Sequence, residues 1–355
     1  MKVLVGMSGG VDSSVAALLL KEAGHDVTGV TMRTWVAGRY AGGGRDACFG
    51  AGEIDDIIAA AEVCRRLEIN YHAIDCSEQY DEIVVSHFRK EYLAGRTPNP
   101  CVRCNALVKF GLLPDLARSS GLAFDRFATG HYARTDCREG RNRLLRATDT
   151  SRDQSYFLYR LTQEQLGRQL FPLGTLTKTE VRAIAVRHGL AVAERPDSQD
   201  FYSGDRDELI GEPDRPGDIV DEDGHIMGHH TGFWKYTIGQ RKGLGIAHPL
   251  PLYVVGVDAC RNQVIVATAE RTICRRLVAD DCNWVSIARP DAPLEVQIKV
   301  RSAGHPMTGA MIQPRGDGSC EATFAAGIPG VAPGQSAVFY CDDIVLGGGI
   351  IREAS

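Results

Sequence analysis

Two stretches of this 355-residue chain carry residue types suited to covalent chemistry. The first is Ser8-Gly9-Gly10-Val11-Asp12-Ser13-Ser14, three hydroxyls, two glycines and a carboxylate set between an apolar run and a helix-like one. Glycines let a backbone approach an anion, and a helix N-terminus behind them offers free N–H groups and partial positive charge. The same residues also make an ordinary tight turn with a helix cap. The turn lacks the Gly-Lys-Ser/Thr ending of a Walker A loop and does not match G-x-G-x-x-G. The second stretch is TPNPCVRCN (Thr97–Asn105), whose Cys101 and Cys104 have Cys-x-x-Cys spacing. That spacing serves a redox couple, half a zinc knuckle, part of an iron–sulfur site, or a nucleophile with a neighbour. Spacing alone leaves all four open.

The elements around these stretches predict how they are placed. Residues 2–7 read as a strand, Val15–Gly24 as a helix closing on a C-cap glycine, and His25–Trp35 as a second strand. That is a βαβ unit. Helical patterns follow at Ile54–Glu68 and Ile83–Leu93, with a strand at Tyr71–Asp75 between them. Beyond the loop expected to carry the cysteines come a helix near Leu107–Ser119 and a strand at Phe124–Gly130. Such alternation predicts an α/β fold, an open parallel sheet with helices on both faces. Ligands of such sheets bind at the carboxyl ends of strands, which favours the glycine turn. From about Asp205 the chain becomes rich in Gly, Asp and Pro, and beyond Cys274 its segments alternate or are β-branched. The expected division is a catalytic domain over 1–204, a small central domain over 205–274 and a C-terminal β-barrel over 275–355.

Composition bounds the class. With 44% hydrophobic and 24% charged residues the chain reads as a soluble globular protein. No run approaches the roughly 18 apolar residues of a membrane span. MKVLVGMSGG breaks at glycines too soon for a signal peptide, so a cytoplasmic protein with no membrane partner is expected. Eleven cysteines, an odd and scattered count, predict reduced thiols, with Cys64, Cys76, Cys260, Cys282 and Cys341 as buried structural residues. A net charge of −5 argues against a uniformly basic nucleic-acid binder. A local excess of Arg134, Arg138, Arg141, Arg143, Arg146 and Arg152 over Asp136, Glu139, Asp149 and Asp153 suits phosphate contact.

The glycine turn matches SGGxDS, the signature of the PP-loop ATP pyrophosphatases, which grip the pyrophosphate of ATP and transfer AMP to an oxygen. GRTPNPCVRCN, ALVKF, ATGHYAR (Ala128–Arg134), RDQSYFLYRL (Arg152–Leu161), TIGQRKGLGI (Thr237–Ile246), PGQSAVFY and LGGGII then follow in order. Together they resemble the tRNA-specific 2-thiouridylases, which replace the C2 oxygen of the wobble uridine, position 34, with sulfur. The resemblance implies a PP-loop domain, a central domain and a C-terminal barrel that clasp tRNA. It also implies ATP, Mg2+ and a sulfur donor or carrier protein. Carried over by position, Gly6, Met7, Ser8, Gly9, Gly10, Val11, Asp12 and Ser13 would hold ATP, with Met32 and Gly130 beside the adenosine. Asn99, Pro100 and Cys101 would meet the target base. His131, Arg152, Asp153, Gln154, Arg301, Ser302 and Gln335 would contact tRNA. Cys104 would be the catalytic cysteine, with Cys101 and Asp12 also in the chemistry.

One departure bears on mechanism. Members of that family carry a second cysteine in a stretch of the form DSQ-x-x-C-F; here it reads Asp197-Ser198-Gln199-Asp200-Phe201-Tyr202-Ser203. A phenol at Tyr202 can neither carry a persulfide nor close a disulfide. Two routes stay open. Cys101 and Cys104 could cycle between persulfide and disulfide, one thiol lowered by a helix N-terminus or a cation. Alternatively they could ligate a [4Fe–4S] cluster with a third cysteine, leaving one iron open for hydrosulfide. Cys48, in AGGGRDACFGAG, is the preferred third ligand and Cys76 the weaker one. A zinc knuckle lacks its second Cys or His pair. An amidating or lysidine-forming PP-loop enzyme would not need NPCVRCN, and a non-catalytic redox or metal sensor leaves SGGVDS unexplained.

Overall fold

The computed structural model describes residues 1–36, 38–40, 47–196, 200–202 and 204–355. Asp197, Ser198, Gln199 and Ser203 of the expected second-cysteine loop, and the glycines before Cys48, lie outside the described residues.

The chain opens with β1 (Lys2–Gly6), α1 (Val11–Glu22) and β2 (Asp26–Arg33). The short β3 (Ala47–Phe49) and α2 (Glu53–Arg66) lead to β4 (Asn70–Asp75). α1 starts at Val11, four residues before its apolar pattern does, with the Ser13 and Ser14 hydroxyls of its first turn both donating back to the Gly10 carbonyl. A polar first turn leaves no periodicity to read. Val15, Ala16 and Ala17 are fully buried, and the small alanines let α1 lie close on the sheet.

A helical stretch then runs as α3 (Ser77–Tyr80), a π-helical turn at Asp81–Val85 and α4 (Ser86–Leu93). The expected cysteine loop is instead the start of a helix. Asn99 caps α5 (Pro100–Arg103) by accepting from the Val102 amide at 3.2 Å, and Pro100 fills the first helical position. Cys104 begins a second π-helical run, Cys104–Leu112, that passes into α6 (Leu113–Ser119). Cys101 and Cys104 are therefore three apart on one helical face. β5 (Arg126–Thr129) completes the core crossing. Next come the hairpin β6 (Ala133–Arg138) and β7 (Arg141–Arg146), then α7 (Gln163–Gly167), β8 (Gln169–Leu170), α8 (Lys178–Arg187), β9 (Asp200–Tyr202) and α9 (Arg206–Ile210).

The main sheet is parallel in the order β4-β2-β1-β5-β8. Strand order reverses at β1, which has β2 on one side and β5 on the other, and the crevice outside that switch point is where such sheets bind ligands. The central domain is a four-stranded sheet of β10 (Gly217–Val220), β11 (Ile226–His230), β12 (Tyr253–Asp258) and β13 (Gln263–Ala267). The third holds β14 (Ile273–Asn283), β15 (Leu294–Lys299), β16 (Met307–Pro314), β17 (Cys320–Pro329), β18 (Ser336–Cys341) and β19 (Ile344–Ala354), and β14 pairs with β19 to close a six-stranded barrel.

The β6–β7 hairpin crosses the expected boundary and adds to this barrel, Leu144 and Leu145 registering with Val345 and Ile344. The arginine excess is spent there. Arg143 pairs with Asp136, Arg146 with Asp153 and Arg134 with Asp343, while Arg141 donates to the Trp284 carbonyl at 2.6 Å. Cys260 and Cys341, expected in the core, are exposed because each sits where its β-hairpin turns; Cys64 and Cys76 are buried and Cys282 is half-buried. Among the described residues no helix is long and apolar enough to cross a membrane.

The barrel also grips the cysteine segment. The Thr97 amide donates to the Pro333 carbonyl at 2.8 Å, and the Gln335 amide donates to the carbonyls of Thr97 and Pro98 at 2.9 and 3.2 Å. Gly334, at φ +93°, lies so close that an added Cβ would sit 2.9 Å from the Thr97 backbone. Gly334→Ala should therefore push Thr97 and Pro98 off the barrel and cost about 1–3 kcal/mol, measured by denaturant melts.

Candidate active site

The glycine turn lies at the switch point. Gly9 takes φ +73°, and an added Cβ would fall 2.5 Å from the Asp56 carbonyl, so only glycine fits between β1 and α2. At the end of β5, a Cβ on Gly130 would fall 2.6 Å from the Asp12 backbone. The turn is braced from within: the Ser8 amide donates to the Ser13 hydroxyl at 3.1 Å, and the two hydroxyls are 3.2 Å apart. Met32 stands half-buried near the end of β2, the next strand over.

Asp12 is held from outside the turn. The Lys178 amine at the start of α8 donates to both carboxylate oxygens at 2.8 Å, and the Tyr132 hydroxyl donates to one of them at 2.8 Å. Lys178 is fixed in turn by a capping box in which Thr177 and Glu180 bond reciprocally. Arg195 bridges the Gly9 carbonyl at 2.9 Å and the Asp56 carboxylate at 2.6 Å. Burial first, against the opposing pull of Arg195, lifts the Asp56 carboxyl to about 6. Lys178 and Arg195 carry no sequence signal of their contact with the turn, each lying more than 100 residues away, and Tyr132 is visible only as part of ATGHYAR. The only signal for Lys178 was Thr177-x-x-Glu180, and that signal marks a helix start.

The cysteines lie on a block of aromatic rings. Phe49 stacks on Tyr80 at 5.2 Å and on Phe201 at 5.7 Å. Cys104 is buried, and its sulfur lies against the Tyr80 hydroxyl. Burial pushes its thiol up to about 11, opposed by Lys109, so the lowered thiol expected near a helix N-terminus is not found at Cys104. Cys101 and Cys48 both lie close enough for their charge to act on the Tyr80 phenol. Cys48 is exposed on β3, which pairs in parallel with β9, Phe49 opposite Tyr202. The strand that lacks its expected cysteine thus has Cys48 on the neighbouring strand. Tyr202 itself donates to the Glu208 carboxylate at 2.6 Å. Cys76 is buried, its thiol pushed to about 12 chiefly by burial and next by Asp75. Among the described residues, only Asp221, Asp223 and His225 in the exposed β10–β11 turn bring metal-ligating atoms within 4.8 Å of one another.

The residues expected at tRNA fall into two groups. Arg152, Arg301 and Ser302 are exposed, with the Arg301 guanidinium against Gly330 of the barrel. Asp153, Gln154 and Gln335 face inward. The Asp153 carboxylate accepts from the amides of Ala147 and Ser155 at 3.0 and 3.2 Å. Gln154 brackets Tyr132, its side chain accepting from the Tyr132 amide and its own amide donating to the Tyr132 carbonyl, both at 2.9 Å. Gln335 holds Thr97 and Pro98, just before Asn99 and Pro100. His131 is half-buried, 2.8 Å from the Thr129 hydroxyl and packed on Phe110 and Phe171.

Two stability predictions follow from these partners. Lys178→Met leaves a partly buried carboxylate without its cation and should cost about 1–3 kcal/mol in urea melts, against about 1 kcal/mol for Tyr132→Phe. Burial first, then Lys109, holds His131 well below the ordinary 6.5, so its folded state favours neutral imidazole. Its contribution is intact above that value and lost as pH falls below it. His131→Gln should flatten the fall in stability between about pH 7 and about pH 5.

Comparison with known proteins agrees along the chain. Residues 1–202 match the family described as tRNA methyl transferase HUP domain, residues 210–268 its PRC-barrel domain, and residues 274–351 the aminomethyltransferase beta-barrel domain. The tRNA-specific 2-thiouridylase MnmA of Endomicrobium trichonymphae is 47% identical over 357 residues, covering 99% of both chains. The protein of the same name from Geotalea uraniireducens (strain Rf4) is 46% identical, covering 99% of this chain and 95% of its own. With the glycine turn at the sheet's switch point and the cysteine helix held by the barrel, this chain belongs to the tRNA-specific 2-thiouridylase family.

Proposed function

We propose that this enzyme thiolates tRNA, adenylating the C2 oxygen of the wobble uridine at position 34 and replacing it with sulfur to give 2-thiouridine. The observation that carries the reading is the union, in one fold, of an anion-cradling turn at the β1–β5 switch point with a helix-borne cysteine pair. A uridine carbonyl is a poor electrophile and oxide a poor leaving group. Attack of the C2 oxygen on the α-phosphate of ATP expels pyrophosphate and leaves AMP on that oxygen. Sulfur then adds at C2, and the C–O bond breaks with AMP carrying away the electron pair. The work at the turn is positioning and charge stabilisation. The turn from Ser8 to Ser13 would cradle the triphosphate, Asp12 would hold its Mg2+, and Lys178 would add positive charge. Met32 and Gly130 flank the adenosine. Asn99, Pro100 and Cys101 receive the base. His131, Arg152, Arg301 and Ser302 meet the tRNA, with Asp153, Gln154 and Gln335 shaping those contacts from behind.

For sulfur delivery, we infer that Cys48, Cys101 and Cys104 hold a [4Fe–4S] cluster. Three observations support it: Tyr202 removes the second relay cysteine, Cys48 stands on the paired strand, and the Cys104 thiol is held neutral. A coordinated thiol is deprotonated outright, which removes that obstacle. Bound there, the cluster would supply an open iron for hydrosulfide. The competing reading is a Cys101–Cys104 persulfide–disulfide cycle fed by a carrier protein.

Asp12→Ala should abolish tRNA-dependent pyrophosphate release, and persistent release would count heavily against the assignment. Cys104→Ala should block sulfur insertion yet permit adenylation, read by mass analysis of digested tRNA. Protein purified without oxygen should absorb at about 400 nm and contain iron and sulfide. Cys48→Ala should lose both. A colourless, iron-free enzyme that still thiolates would leave the cysteine cycle.

A further inference from the structure

We propose that the cleft between the cysteine helix and the barrel is a phosphate subsite for RNA, in which Arg103 takes one phosphodiester next to the target nucleotide. The proposal rests on the tRNA-thiolation reading and adds to it a contact that the family resemblance does not assign. The cleft has a volume of about 360 Å³ and runs from Asn99 and Arg103 on α5 to Gly334 and Ile351 on the barrel.

Its charges nearly cancel. Arg96 pairs with Glu91 through two bonds of 2.6 Å. Arg352 pairs with Asp280 at 3.0 and 3.2 Å, and Arg160 pairs with Asp281. These three pairs leave Arg103 as the one lining arginine without a carboxylate within ion-pair distance among the described residues. Its Nε is committed to the Ile83 carbonyl at 2.5 Å, which fixes the planar fork and leaves its outer nitrogens for a ligand. Burial and then Arg160 act against its charge, opposed by Glu91 and Asp281, and His87, one turn along from Ile83, is held below its ordinary range by burial and then by Arg103 itself. With Arg96, Arg103, Arg160 and Arg352 set against Glu91, Asp280 and Asp281, the lining is short of one negative charge. One phosphodiester carries one.

Position selects RNA over a free anion. Asn99, which caps the helix bearing Cys101, lines the cleft, and Gly334 adjoins the Gln335 that holds Thr97 and Pro98, so the opening borders the segment proposed to receive the base. Leu107, 43% exposed, gives the cleft an apolar lip suited to a ribose. Phosphate contacts of this kind fix register while leaving sequence to the base pocket.

The test uses the full chain and an anticodon stem-loop with a uridine at the wobble position, bound across a salt series without ATP. Arg103→Met should weaken binding roughly tenfold and flatten the log affinity–log salt slope by about 0.7, as expected for one lost single-strand phosphate contact. Arg103→Lys should keep the slope, and ATP affinity should be unchanged in both. Independently of any variant, a neutral methylphosphonate at one linkage flanking the wobble uridine should weaken binding to the parent protein similarly. Combined with Arg103→Met it should add nothing further. Unchanged affinity and slope in a folded Arg103→Met protein, or equal binding of every methylphosphonate, would overturn the proposal. So would inorganic phosphate found in the cleft of a crystal while Arg103→Met binds RNA like the parent, which would make the cleft a small-anion site. Failure of the parent protein to bind the RNA would instead sink the thiolation reading.

Discussion

The carboxylate of Asp12 is clamped by the Lys178 amine and the Tyr132 hydroxyl, and the geometry of the remaining site follows from that clamp. It ties the first turn of α1 to the segment after β5 and to the start of α8, three parts of the chain that the parallel sheet brings to one crevice. Gly9 and Gly130 permit the approach, since a side-chain carbon on either would strike backbone. A turn so constrained is held in one conformation, the kind of preorganisation that electrostatic catalysis needs.

The second half of the chemistry is held differently. The cysteine helix begins at a segment whose backbone is gripped by the barrel through Pro333, Gly334 and Gln335. The same barrel carries the β6–β7 hairpin, paired to β19, and the hairpin continues into the loop where Gln154 brackets Tyr132. One rigid barrel therefore contacts the supports of both the nucleotide turn and the thiols. Residues placed at the tRNA surface by resemblance, Gln154 and Gln335, sit inside these supports, so RNA engaging nearby would act on the site through few intermediates.

Local features of this arrangement were legible in the sequence, and long-range ones were not. The β1–turn–α1 unit could be read from an apolar run, two glycines and an apolar helical pattern, although the polar first turn hid where α1 begins. Cys101 and Cys104 were evident by spacing, but a Pro-Asn-Pro stretch read as loop until Asn99 proved to be a helix cap. The arginines of residues 134–152 looked like a phosphate patch; most are consumed by carboxylates and a carbonyl that folding places beside them. Lys178 and Arg195 gave no signal because their partners are set by tertiary structure. The same holds for Cys104, whose burial raises a thiol that helix position alone would lower. Tyr202 was visible as a missing cysteine, whereas its pairing opposite Phe49, with Cys48 alongside, required the β3–β9 register.

Density for a nucleotide is the most direct test of the central claim. A crystal structure of the protein with a non-hydrolysable ATP analogue and Mg2+ should show the triphosphate on the turn from Ser8 to Ser13, with the adenosine between Met32 and Gly130. A nucleotide bound elsewhere, or the Asp12 clamp closed over an empty turn at saturating analogue, would contradict the account.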